Sequence, residues 1–225
     1  MVHRPLRAER LMLEGPAGAL QALIETPASE SGEPLTVPAF AVVCHPHPLY
    51  GGALDNKVVY TVARAIGQLG VPAIRFNFRG VGASAGTYDE GRGESDDALA
   101  AIAFGRRRWP GAPLWLAGFS FGGAVAARVA AEARAQRLVL VAPGITPLER
   151  ADFEAARTAV PACPWLIVQG DADEVVPAPE VLEWARTRKP PPPVPAPQLA
   201  VLAGAGHFFH GRLNELREVV LAFLR

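Results

Sequence analysis

The chain has 225 residues, 50% of them hydrophobic, enough for one large domain over residues 1–225 whose core needs neither disulfides nor a structural metal. Lys+Arg and Asp+Glu number 22 each and the formal net charge is +0. Without a basic excess to attract phosphate backbones or anionic lipid, neither nucleic acid nor membrane is an expected partner.

The opening Met1-Val-His-Arg-Pro-Leu-Arg puts charges where a secretion signal needs an apolar run, and no later apolar run is long enough to span a bilayer. A soluble cytoplasmic protein is therefore expected. Glu9 to Glu14 and Ala19 to Glu25 read as two strands joined by the Gly15-Pro-Ala-Gly18 turn, an antiparallel hairpin. Apolar runs rich in Val, Ile and Leu then alternate with segments of helical period, the rhythm of an α/β fold. Phe40 to Cys44, Ala73 to Phe78, Leu114 to Ala117, Leu138 to Val141, Trp165 to Gln169 and Leu199 to Leu202 are nearly continuous apolar runs, as strands covered on both faces require. With the hairpin they predict a mostly parallel sheet of about eight strands with helices on both faces.

Helices are expected at Asn56 to Leu69, Ser95 to Arg108, Ala124 to Ala135, near Leu148 to Thr158, at Pro179 to Arg188 and at Arg212 to Leu224. Arg106-Arg107-Arg108 reads as a solvated helix end placed favourably on the dipole. Lys189 to Pro197, KPPPPVPAP, reads as an extended polyproline II connection on the surface. Cys44 and Cys163 lack metal or redox spacing and read as small buried hydrophobes.

Chemistry concentrates where the Leu114 strand runs into Gly118-Phe119-Ser120-Phe121-Gly122-Gly123 and on into an alanine-rich helix. A sharp strand-to-helix reversal strains its central residue, and side chains two positions before and after it would strike backbone, so glycines belong there. Such a corner presents the Ser120 hydroxyl clear of the sheet, with the Phe121 N–H at a helix start. A serine hydroxyl needs a base. His207 follows the small residues Ala203-Gly-Ala-Gly206, which let a loop bend back over the sheet, and His210 is the fallback. Asp171, Asp173 and Glu174, after the Trp165 strand, are the candidate orienting acids.

The elbow, the G-x-x-D-x-V-V run at Gly170 to Val176 and the Gly206-His207 pair resemble the α/β-hydrolase superfamily, in that family's order of Ser, Asp, His. The resemblance implies Asp173 as the acid, with Asp171 and Glu174 as loop groups. It extends over nearly the whole chain. His45-Pro-His-Pro-Leu-Tyr-Gly51-Gly52 stands where the family has its oxyanion loop, and Arg79-Gly80-Val81-Gly82-Ala83-Ser84 is similar to its R-G-x-G-x-S turn. Pro46 and Pro48 have no amide proton, so a second oxyanion donor beside Phe121 would be the N–H of His47, Leu49 or Tyr50, or the Tyr50 phenol. With no acid or third histidine at ligand spacing, His45 and His47 imply no metal, and no cofactor is implied.

Serine at the elbow excludes the aspartate nucleophile of haloalkane dehalogenases and departs from the cysteine of dienelactone hydrolases, to whose relatives among small capless bacterial esterases the chain is otherwise similar. The step of 21 positions from Pro143 to Pro164 leaves no room for a cap domain. The resemblance thus implies a lidless serine esterase with Ser120, Asp173 and His207 as triad. It would act on small to medium ester substrates, with Phe119 and Phe208, flanked by Phe121 and Phe209, along an apolar pocket. A thioesterase or peptidase uses the same triad, and an inactive binding module on the same fold is the non-enzymatic alternative.

Overall fold

In a computed structural model describing residues 5–28, 37–145, 160–190 and 192–225, the chain opens with a hairpin of β1 (Leu6–Gly15) and β2 (Gly18–Pro27). Six strands follow: β3 (Phe40–Cys44), β4 (Ala73–Phe76), β5 (Leu114–Phe119), β6 (Arg137–Val141), β7 (Trp165–Gly170) and β8 (Gln198–Leu202). They lie in the order β1-β2-β4-β3-β5-β6-β7-β8. The pairings of β1 with β2 and β2 with β4 are antiparallel, and every pairing from β4 to β8 is parallel.

Alternation along each strand feeds two apolar layers. Phe40, Val42 and Cys44 of β3 face the layer that holds α2 (Arg92–Arg108), α3 (Phe121–Val129) and α4 (Ala178–Thr187). Ala41 and Val43 face the layer that holds α1 (Lys57–Gln68) and α5 (Leu213–Leu224). Winding reverses at β3, whose neighbours β4 and β5 lie on opposite sides. In open α/β sheets the crevice beyond such a reversal is where ligands bind, and here the loops leaving β3 and β5 carry His47 and Ser120.

The elements match the expected ones with instructive shifts. β4 stops at Phe76, because the Phe78 N–H donates to Nε2 of His45 rather than to a strand. α2 starts at Arg92, where the Glu94 carboxylate accepts the N–H groups of Asp89 and Gly91. α3 begins directly after Ser120 and ends at Val129, with turns through Arg134 in place of further helix. Lys189 to Pro197 is not a continuous polyproline helix: the chain turns at residues 192–193, across a cis bond between Pro192 and Pro193. At the end of α2, Arg106 donates to the Ala133 carbonyl and Arg108 pairs with Glu9 at 3.7 Å. The helix expected near Leu148 to Thr158 lies outside the described residues. The β6 to β7 connection, between Val141 and Trp165, is too short for a cap domain. Among the described residues no helix is long and apolar enough to cross a membrane.

Candidate active site

β5 delivers Ser120 to the carboxyl edge of the sheet in a conformation side chains rarely adopt, φ 54° and ψ −121°. The turn has no room for more than glycine on either side. A Cβ on Gly118 would stand 2.1 Å from the Gly122 carbonyl oxygen, and one on Gly122 would stand 2.3 Å from that of His45. The Ser120 carbonyl accepts the N–H groups of Gly123, Ala124 and Gly144. The elbow is thereby pinned both to its own helix and to the loop after β6.

His207 and Asp173 arrive from the loops after β8 and β7. His207 Nε2 lies 3.0 Å from Ser120 Oγ, and its Nδ1 lies 2.9 Å from Oδ2 and 3.1 Å from Oδ1 of Asp173. With Nδ1–H donating to the carboxylate, the Nε2 lone pair faces the serine hydroxyl. Asp173 is also held by the N–H groups of Val175 and Val176, both on Oδ1, at 2.9 and 2.8 Å. Burial pushes its carboxyl up, but the bond to His207, the backbone donors and the imidazole's charge outweigh that, and it sits below its ordinary value.

One partner has no counterpart in the sequence reading. Gln169, fully buried at the end of β7, donates from Nε2 to Asp173 Oδ2 and to the Val176 carbonyl, each at 3.0 Å. The other two candidate acids hold backbone. Asp171 accepts the Gly204 N–H at 2.6 Å and Glu174 the His207 N–H at 3.4 Å. His210 lies apart from the serine, against Lys57.

The loop after β3 forms the opposite wall. His45 is buried with both ring nitrogens engaged: Nδ1–H donates to the Pro46 carbonyl at 2.6 Å, and Nε2 accepts the Phe78 N–H at 2.9 Å. Burial lowers its pKa to about 4 against the pull of the Pro46 bond, so it is a neutral clamp. Next comes a 3-10 turn, Pro48–Tyr50, capped by His47. Within it the Leu49 N–H donates to His47 Nδ1 and the Tyr50 N–H to the His47 carbonyl. Those two amides of the three expected oxyanion candidates are engaged locally, which leaves the N–H of His47. The Tyr50 side chain is 84% exposed, its ring 4.6 Å from that of His47.

His47 carries its proton on Nε2, since Nδ1 accepts, and Nε2 meets the Tyr88 hydroxyl at 3.3 Å. Burial lowers its pKa. In the R-G-x-G-x-S turn that precedes Tyr88, Arg79 grips Asp97 with two side-chain bonds and its own N–H, and Ser84 donates to the Asn77 carbonyl. β4 and the residue that follows it hold the far end of the loop, with Arg75 donating to the Leu54 carbonyl and Asn77, just past the strand, accepting the Leu54 N–H.

The expected pocket residues separate. Phe208 is 38% exposed at the rim, whereas Phe119 is 1% exposed and packs its ring 4.9 Å from that of His207. As the last residue of β5 it points into the core, where it backs the imidazole and offers substrate no surface. Phe209 is likewise buried, and Phe121 opens α3 with its ring 5.0 Å from His47.

A hydrolase family profile described as serine aminopeptidase, S33, matches residues 49–160. A solved α/β serine hydrolase without a lid from Xanthomonas campestris is 40% identical, with a TM-score of 0.85 over 98% of this chain and 95% of that one. An α/β serine hydrolase homologue from Coxiella burnetii is 41% identical, with a TM-score of 0.84 over 96% and 97%. An uncharacterised protein of Rickettsia prowazekii is 33% identical over 186 residues, 82% of this chain and 77% of its own length.

Proposed function

The chain belongs to the α/β-hydrolase superfamily, and from that premise we propose that it is a lidless serine esterase that cleaves small to medium esters through an acyl-enzyme on Ser120. The observation that carries the reading is the unbroken relay from Ser120 Oγ through His207 to Asp173, 3.0 and 2.9 Å at its two links. As Oγ attacks the ester carbonyl, its proton passes to His207 Nε2, and the carbonyl oxygen takes up the negative charge. The N–H groups of Phe121 and His47 are the assigned donors to that oxygen, each worth about 3 kcal/mol of barrier. Collapse of the tetrahedral species breaks the C–O bond, and the departing alkoxide takes the proton from Nε2. Water repeats the sequence on the acyl-serine and releases the acid. Asp173 stays ionised throughout, which agrees with a carboxyl held below its ordinary value.

A fluorophosphonate probe is expected to label the wild-type protein at Ser120 and to leave Ser120→Ala unlabelled. Stoichiometric labelling of the alanine variant overturns the nucleophile assignment. The profile's description as a serine aminopeptidase favours one second reading, an amide-cleaving enzyme with the same triad. Turnover of p-nitrophenyl butyrate against aminoacyl p-nitroanilides separates the two, and faster cleavage of the anilides decides for the peptidase.

A further inference from the structure

The rim beyond His207 carries a positive charge that the relay does not use. Lys57 is the first residue of α1, and its Nζ lies 2.7 Å from Nδ1 and 3.0 Å from Nε2 of His210. It also stands 5.8 Å from the centre of the Phe208 ring. Phe208 in turn lies 5.1 Å, centre to centre, from the His207 ring and 6.2 Å from that of His210. The ammonium is therefore one aromatic ring away from the imidazole of the relay.

An aromatic face and an imidazole nitrogen that accepts solvate an ammonium without cancelling its charge. Among the described residues no carboxylate pairs with Lys57. Asp55, two residues before it in the chain, lies 3.6 Å from Arg75, Glu174 accepts the His207 N–H, and Asp173 is covered by its own donors. The direction of catalysis says which part of a substrate reaches this charge. His207 Nε2 hands its proton to the departing alcohol, so the alcohol half leaves beside His207, and a group extending from it along the rim meets Phe208 and then Lys57.

We propose that Lys57 and His210, with Phe208 as the floor between them and the relay, form a subsite for an anionic group, carboxylate or phosphate, borne by the alcohol half of the ester. This rests on the esterase reading above. Lys57 supplies the ion pair, and His210 beside it offers a ring N–H for a second bond.

The test compares kcat/KM for 4-acetoxybenzoate and for 4-acetoxybenzamide, near-isosteric esters that differ in the charge on the alcohol half, with 4-acetoxyphenyl phosphate as the phosphate arm. The wild-type preference for the anionic esters is expected to fall about tenfold in Lys57→Met, to persist in Lys57→Arg, and to shrink as salt is raised. Arg217→Met, on α5, keeps the wild-type ratio. A ratio unchanged in Lys57→Met overturns the subsite. Calorimetric binding of 4-hydroxybenzoate reads the subsite without turnover, and equal affinity in wild type and Lys57→Met overturns it too. Absent turnover of every acetate, with 4-hydroxybenzoate still bound through Lys57, sinks the esterase reading and leaves the anion subsite standing.

Discussion

A carboxylate that orients a histidine does so only as well as it is itself oriented, and Asp173 is held from three directions besides the imidazole. Val175 and Val176 fix Oδ1, and Gln169 Nε2 shares Oδ2 with His207 Nδ1. Replacing Gln169 by leucine leaves the Val176 carbonyl and Oδ2 each short of a buried donor, a loss of about 1–2 kcal/mol per bond. If that loss is felt in the orientation of the relay rather than in substrate binding, Gln169→Leu lowers kcat about tenfold and changes KM much less. Steady-state kinetics on a p-nitrophenyl ester check this, and an unaltered kcat denies Gln169 a positioning role. The sequence does not single the residue out, because a glutamine closing an apolar strand carries no signal of what its amide will reach. Ser120 is legible for the opposite reason: at the elbow hard-sphere contacts restrict the residue types themselves, as the close approaches at Gly118 and Gly122 show. The proposed second oxyanion donor falls between these cases. Prolines remove two amides by chemistry alone, but which of the remaining three is engaged depends on the 3-10 turn at Pro48–Tyr50, a geometry that residue identity does not dictate.

At the scale of elements, the loop after β3 is held in place by a histidine that has no part in the proposed chemistry. His45 ties the end of β3 to the end of β4 through the Phe78 N–H, and the same bond ends β4 two residues before the apolar run does. Apolar pattern marks a strand by what it buries and is blind to a polar side chain that takes over a strand amide; the boundary at Phe76 was hidden for that reason. The clamp also has a cost in acid. An unfolded His45 takes up a proton near pH 6.5, whereas the folded one resists until about 4. The unfolded state therefore binds more protons across that window, and stability present above pH 6.5 is lost as pH falls toward 4, by roughly 3 kcal/mol in all. Asp173, held below its ordinary value, adds a further loss only at lower pH, within the carboxylate range. Glutamine at position 45 can accept the Phe78 N–H but does not titrate. Urea unfolding midpoints between pH 7.5 and 5 are expected to fall less in His45→Gln than in wild type, and an equally steep fall in both assigns the acid sensitivity to another group.

For the whole molecule, the legible part was the layer plan. Runs such as Phe40 to Cys44 are apolar at every position because both faces of a parallel strand are covered, and the two core layers divide them residue by residue. The spatial order of the strands is not written in any one run; it follows from how the crossovers wind, and the reversal at β3 is what brings the loops after β3 and β5 to one crevice. Leu49, Tyr50 and Phe208 are exposed on the loops that leave β3 and β8 at the carboxyl edge of the sheet, and the β6 to β7 connection is too short for a cap domain. An enzyme whose site must be uncovered at a lipid surface gains rate abruptly once its substrate aggregates; a site already open has no such step to gain. With a sparingly soluble ester such as tributyrin, the rate is therefore expected to rise hyperbolically with dissolved substrate and to level off through the solubility limit. An upward break at that limit means that a segment of this chain does close over Ser120, and the lidless reading fails with it.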